Sequence, residues 1–97
     1  MPTYITLCNF TQKGIENIKD SPARLEKVKK AIGAAGGEFK AFYLTVGQYD
    51  VVTISEAPND IAYSTTMLAI ASAGAVRTQT LKAFTEEEYK QIISSLP

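Results

Sequence analysis

LTVGQYDVVTI, residues Leu44 to Ile54, decides how the middle of this chain folds. Two apolar runs flank Gly47, Gln48, Tyr49 and Asp50. The pattern reads as a β-hairpin, with Glu38 to Val46 as one strand, Asp50 to Glu56 as the next, and Gly47-Gln48 as a two-residue loop. Glycine at the first loop position suits a type II′ turn, which requires positive φ there. Neighbouring residues of a regular strand point to opposite faces. Tyr49 therefore belongs with Val51 and Thr53, and Asp50 with Val52 and Ile54.

Working outward, Thr3 to Phe10 (TYITLCNF) alternates and is rich in β-branched and aromatic residues, so it reads as a strand. Thr11 can cap a short turn beginning at Gln12. Ser21-Pro22 supplies an N-cap followed by proline at the first helical position, and Leu25, Val28, Ile32 and Ala35 recur at helical spacing until Gly36-Gly37. Ala57-Pro58-Asn59-Asp60 breaks the third strand and opens a second helix, Asp60 to Ala73, made mostly of small residues. Val76 to Phe84 is a fourth strand. Thr85-Glu86-Glu87-Glu88 has the form of a capping box, and the short helix after it carries Tyr89, Ile92, Ile93 and Leu96 on one side. The order β-α-β-β-α-β, then α, is a ferredoxin-like α+β arrangement with an additional C-terminal helix. Right-handed crossovers place both main helices on one face of a four-stranded antiparallel sheet. With no repeat or linker, residues 1–97 are expected to form one domain.

Alternation divides the strand residues into two sets. Ile5, Leu7, Phe42, Leu44, Val52, Ile54, Leu81 and Ala83 form an aliphatic face, expected beneath the helices. Tyr4, Thr6, Cys8, Phe10, Phe39, Tyr43, Val51, Thr53, Thr78 and Thr80 form an aromatic and threonine-rich face, expected to be free of helices. That surface is too apolar to stand in water as one patch, so burial against a second copy is expected.

Composition narrows the chemistry. Lys+Arg and Asp+Glu both number 10, so no net field favours nucleic acid, and the cations Lys19, Arg24, Lys27, Lys29 and Lys30 read as a solvated helix face or, as the minor alternative, an anion-binding surface. Histidine is absent and there is one cysteine, Cys8. Serine–histidine and cysteine–histidine catalysis are excluded, no metal-ligand spacing occurs, and no disulfide can form within the chain. No cofactor is expected. The beginning, Met-Pro-Thr-Tyr-Ile, lacks a basic segment followed by an apolar core, and no apolar run reaches the roughly 18 residues of a membrane helix. A cytoplasmic location without membrane association is the expectation.

PTYITLCNFTQKGIENIKDSP at the start, VGQYDVV in the middle and VRTQTLKAFT near the end together resemble the GYD-domain family, whose namesake residues fall on Gly47, Tyr49 and Asp50. The resemblance runs along nearly the whole chain. It implies membership of the dimeric α/β-barrel superfamily, in which two ferredoxin-like sheets pack around a shared interior. It implies no activity, since that superfamily includes cofactor-free monooxygenases, isomerases, haem enzymes and amino-acid-sensing domains.

Tyr4, Thr6, Tyr43, Tyr49, Thr53, Arg77, Thr78 and Thr80 are the candidate ligand-binding residues: a few phenols, hydroxyls and one guanidinium on an otherwise apolar wall. Sheet-to-sheet packing explains the same residues. Arg77 could clamp a carboxylate, although a salt bridge to Asp50 or Glu56 is its expected use. Tyr49 and Asp50 are the catalytic candidates, with Asp50 more readily explained by hydrogen bonds to nearby backbone amides. The functional expectation is a homodimer or higher homo-oligomer serving as an assembly or small-ligand-binding module, its helix-free face taking a partly apolar molecule. The alternative is a cofactor-independent monooxygenase- or isomerase-like enzyme with its pocket between subunits.

Overall fold

The computed structural model describes residues 1–97. Its elements are β1 (Thr3–Phe10), α1 (Gln12–Glu16), a 3-10 turn (Ile18–Asp20), α2 (Ser21–Ala34), β2 (Glu38–Leu44), β3 (Val51–Glu56), α3 (Asp60–Ser72), β4 (Val76–Ala83) and α4 (Glu86–Ser94). The strands form one antiparallel sheet in the order β2-β3-β1-β4, the ferredoxin-like arrangement expected from the sequence.

Local chemistry sets the element boundaries. The Thr11 hydroxyl accepts from the Gly14 amide at the start of α1. Asn59 caps α3 by accepting from the Ala62 amide at 2.9 Å. At α4 the capping box closes in both directions, with Glu88 N–H donating to Thr85 Oγ1 and Thr85 N–H donating to Glu88 Oε1. The helix expected to be capped by Ser21 begins one residue earlier: Asp20 is the N-cap and Ser21 already lies in the first turn.

The expected assignment of the sheet faces is reversed. Tyr4, Thr6 and Thr53 are buried with Ile32, Tyr63 and Met67 from the helices. Register then fixes the rest: Thr6 lies opposite Thr53 and Thr80, and Cys8 opposite Val51 and Thr78. These residues and Phe10 face the helices. Ile5, Leu7, Val52, Ile54, Leu81 and Ala83 occupy the opposite phase, so the aliphatic set is the helix-free face. The reason is chemical. A buried phenol needs a polar partner, and Tyr63 finds it in the Thr6 hydroxyl at 2.6 Å. The Tyr63 ring also stacks on Tyr4, with centroids 4.2 Å apart and planes within 4°.

Strand β2 departs from both expected groupings because an irregularity between Phe39 and Ala41 shifts its register. Phe39 lies opposite Ser55 and Phe42 opposite Thr53, so both are in the helix-side phase. Leu44, opposite Val51, shares it, while Tyr43, opposite Val52, turns to the helix-free face. An extra residue in one strand changes which side chains share a face without changing the strand's pairing partner.

The hairpin loop also differs from its expected form. Six residues, 45–50, separate the paired strands, instead of a two-residue turn at Gly47-Gln48. The Thr45 amide donates to the Asp50 carbonyl at 2.8 Å, and the Thr45 hydroxyl donates to the Tyr49 carbonyl. Gly47 has φ 148° at the tip, where a Cβ would meet no atom within 4 Å. Its freedom serves backbone direction only.

Glycine has a different task at position 14. A Cβ there would lie 2.1 Å from the Ala75 carbonyl oxygen, the same oxygen that accepts from the Thr11 amide. Gly33 is its counterpart, exposed near the end of α2 with nothing within 4 Å. Gly14→Ala is therefore expected to lower stability by about 1–3 kcal/mol through overpacking. Gly33→Ala should raise it by about 0.4–1 kcal/mol by restricting the unfolded chain. Urea denaturation of the two variants checks both signs.

Candidate functional site

The helices do not fill the space above the sheet completely. A cavity of about 400 Å³ lies between them. Its sheet wall is formed by Thr6, Cys8, Val51, Thr53 and Thr78. Leu25, Val28 and Ile32 enter from α2, and Met67 and Ile70 from α3. These positions follow from helical spacing: Leu25, Val28 and Ile32 recur three and four residues apart, as do Tyr63, Met67 and Ile70. The lining is overwhelmingly apolar, with Arg24 and Lys27 reaching it from the same helix. No aspartate or glutamate lines it.

Beside the cavity, hydroxyl groups form a small network. Thr6 bonds the Tyr63 phenol and lies 3.3 Å from the Thr80 hydroxyl. Ser55 is fully buried without a partner in hydrogen-bond geometry, although it sits near enough to Tyr63 to influence the phenol's proton affinity. Burial nevertheless dominates and raises the Tyr63 pKa. Tyr4 donates to Asp60 Oδ1 at 2.5 Å, and burial followed by that bond pushes its phenol up to about 12. The same bond, with help from Lys82, holds the Asp60 carboxyl below its usual range. Burial pushes the Cys8 thiol up to about 11.

The residues singled out in the sequence are thus divided between two surfaces. Thr6, Thr53 and Thr78 line the cavity. Tyr4 and Thr80 are on the helix side but outside its lining, Tyr4 being committed to Tyr63 and Asp60. Tyr43 and Arg77 are on the helix-free face. Arg77 makes neither expected salt bridge: Glu56 pairs with Lys40 at 4.0 Å, and the Asp50 carboxylate accepts from the Phe10 amide at 3.0 Å. Tyr49 leaves the phase expected of a strand residue because it lies in the loop, and its hydroxyl donates to Gln79 Oε1 at 2.7 Å. Neither catalytic candidate, Tyr49 or Asp50, lines the cavity. Asp50 ties the end of β1 to the hairpin, its amide donating to the Cys8 carbonyl while its side chain receives from Phe10. Sequence reasoning left out Met67 and Ile70, whose signal was their spacing from Tyr63 among small residues.

Comparison with known proteins agrees with this architecture. Residues 4–93 match the GYD domain. The chain belongs to the GYD-domain family. Among curated proteins it is similar to the glutamine synthetase and cystathionine beta-lyase binding protein of Thermus thermophilus, with 36% identity over 84 residues, 86% of this chain and 88% of the relative. Among solved structures it resembles the feast or famine regulatory protein of M. tuberculosis complexed with L-methionine, with a TM-score of 0.67 and 18% identity. That match covers 88% of this chain and 51% of the regulator, so the chain spans about half its length. A Thermus thermophilus protein of known structure matches at a TM-score of 0.56 and 23% identity, covering 88% and 95% of the two chains. These structural likenesses establish the shared fold.

Two pH-dependent outcomes follow. A depressed Asp60 contributes stability above the ordinary carboxylate value, and that contribution is lost as pH falls through the lower folded value. Tyr4→Phe removes the principal cause, so the variant should melt below the parent protein near neutral pH and the gap should close as pH falls through the Asp60 value, as read by melting temperature against pH. The raised Tyr4 phenol works in the other direction, its contribution disappearing as pH rises from 10.0 towards about 12. For Cys8, alkylation by iodoacetamide at pH 8 should be at least about tenfold slower in the folded protein than in urea, because only the thiolate reacts. Mass spectrometry over time checks that rate.

Proposed function

We propose that this GYD-domain protein is a non-enzymatic, self-associating binding module whose helix-side cavity takes a small, largely apolar molecule. The cavity is the observation that carries the reading: its volume suits a small ligand, and its walls offer apolar contact with a few hydroxyls for orientation. A proton-transfer enzyme without histidine would need a buried carboxylate at its site. The cavity has none, and Asp50 serves the backbone of β1. This favours binding over the monooxygenase- or isomerase-like alternative and moves the ligand site from the helix-free face to the helix side.

The helix-free face supports self-association. Ile5, Leu7, Val52 and Ile54 form its centre and Leu81 and Tyr43 its flanks, with Tyr43 60% exposed and Leu81 44% exposed. One contiguous apolar sheet face suits a two-fold interface between copies, as in the dimeric α/β-barrel type. A cytoplasmic location fits this reading, and no helix is long and apolar enough to cross a membrane. A second reading, docking onto metabolic enzymes, is favoured by the name of the Thermus relative. Binding of this chain to purified glutamine synthetase tests it, with failure to bind that enzyme or cystathionine beta-lyase counting against it.

Light scattering at micromolar concentration should give a dimer or larger species, and Leu81→Glu should shift it towards monomer by placing a charge on the apolar face. A monomeric parent protein refutes self-association. The neutral probe N-phenyl-1-naphthylamine should brighten on binding, and Ala31→Phe, which fills the cavity from α2, should weaken that binding about tenfold or more. Equal binding by a folded Ala31→Phe variant, judged by circular dichroism, would place the probe elsewhere and refute the cavity assignment.

A further inference from the structure

A second depression, of about 450 Å³, adjoins the apolar cavity and shares Arg24, Lys27, Ala73 and Ala75 with it. Its character is different. Lys13, Arg24 and Lys27 supply three positive charges, against a single acid, Asp20. None of these cations has a carboxylate partner; the five ion pairs of the chain use Lys29, Lys40 (twice), Lys82 and Lys90.

Two of the cations are nevertheless held in place. Arg24 donates through Nη1 to the Asn17 carbonyl at 2.9 Å and through Nη2 to the Gly14 carbonyl. Lys13 donates to the Ala73 carbonyl at the end of α3, also at 2.9 Å. Carbonyl oxygens orient these groups without cancelling their charge. Lys27 has no hydrogen-bond partner within the chain, one turn of α2 beyond Arg24. The basic cluster that reads in the sequence as a solvated helix face is thereby split. Arg24 and Lys27 turn towards the cavity, whereas Lys29 pairs with Glu26 and Lys30 lines neither depression.

Resting on the binding reading above, we infer that the ligand is an amphipathic monocarboxylate: its hydrocarbon portion occupies the cavity between α2, α3 and the sheet, and its carboxylate sits at the depression formed by Lys13, Arg24 and Lys27. The apolar walls select the tail by area removed from water. The cations select the head, since charge-assisted hydrogen bonds to a carboxylate are stronger than those to a neutral hydroxyl. Long-range attraction is not the selecting force, because the chain has no net charge. The hydroxyls of Thr53 and Thr78 lie on the sheet wall, where they can orient the body of the ligand.

Octanoate and octan-1-ol separate tail from head, because they share a hydrocarbon chain and differ in the charge at its end. Titration calorimetry at pH 7.5 and low salt should show octanoate binding about tenfold more tightly than octan-1-ol, equivalent to one charge-assisted contact. Lys27→Gln should reduce that preference to about threefold or less. Lys30→Gln, a charge change on the same helix outside the depression, should leave the preference intact. Equal affinity for octanoate and octan-1-ol overturns the carboxylate assignment, as does an equal loss in Lys27→Gln and Lys30→Gln. If N-phenyl-1-naphthylamine still binds the cavity in either case, the binding reading survives and this inference alone fails. Failure of both octyl compounds to bind also overturns it.

Discussion

One buried contact organises the sheet: the Tyr63 phenol against the Thr6 hydroxyl, beneath a ring stacked on Tyr4. A phenol cannot be buried cheaply without a hydrogen bond, and a threonine face is the one place on this sheet that supplies it. Once Tyr63 is placed, α3 has a fixed rotation. Met67 and Ile70 follow onto the same side, Thr66 is buried beside them, and Ile61 and Leu68 point outward. Packing of the aliphatic face is then impossible for the same helix. The polar contact thus selects the threonine-bearing face over the aliphatic one, a choice that hydrophobic burial alone would not make.

That selection explains which parts of the structure were legible in the sequence. The order of elements was clear because periodicity and caps are local: Thr11, Asn59 and Thr85 each lie next to the helix they begin. The two phases of β1 and β4 were also legible as sets, since strict alternation separates Thr6 and Thr80 from Ile5 and Leu81. Which set meets the helices was not legible from alternation. It depended on a single phenol 57 residues along the chain from its threonine partner. In β2 even the sets were misread, because an irregularity beside Lys40 has no distinctive residue type to announce it. The loop at Gly47 misled for a related reason, since a glycine compatible with a two-residue turn is equally compatible with a six-residue one.

The candidate site was legible to a lesser degree. Thr6, Thr53 and Thr78 were recognised as facing one way, but the apolar space beside them comes from two helices whose separation no local pattern encodes. Tyr49 and Asp50 stand together as catalytic candidates only through their adjacency in a family motif. Their hydrogen bonds, to Gln79 and to Phe10, tie the hairpin to β4 and β1. The signature motif of the fold is therefore a joint between strands, while the space able to hold a molecule lies on the other side of the sheet.

The last helix carries a further consequence. α4 has no buried residue and makes no substantial packing contact with the other elements, and the molecule is drawn out to 52 × 31 × 18 Å. Nine residues are too few for a helix to persist in water on propensity alone, since nucleation is costly. The reciprocal Thr85–Glu88 cap lowers that cost at one end but supplies no hydrophobic contact for Tyr89, Ile92 and Ile93. Order in this segment is consequently borrowed. Its helix content depends on whatever shields that apolar stripe, separately from the stability of the sheet.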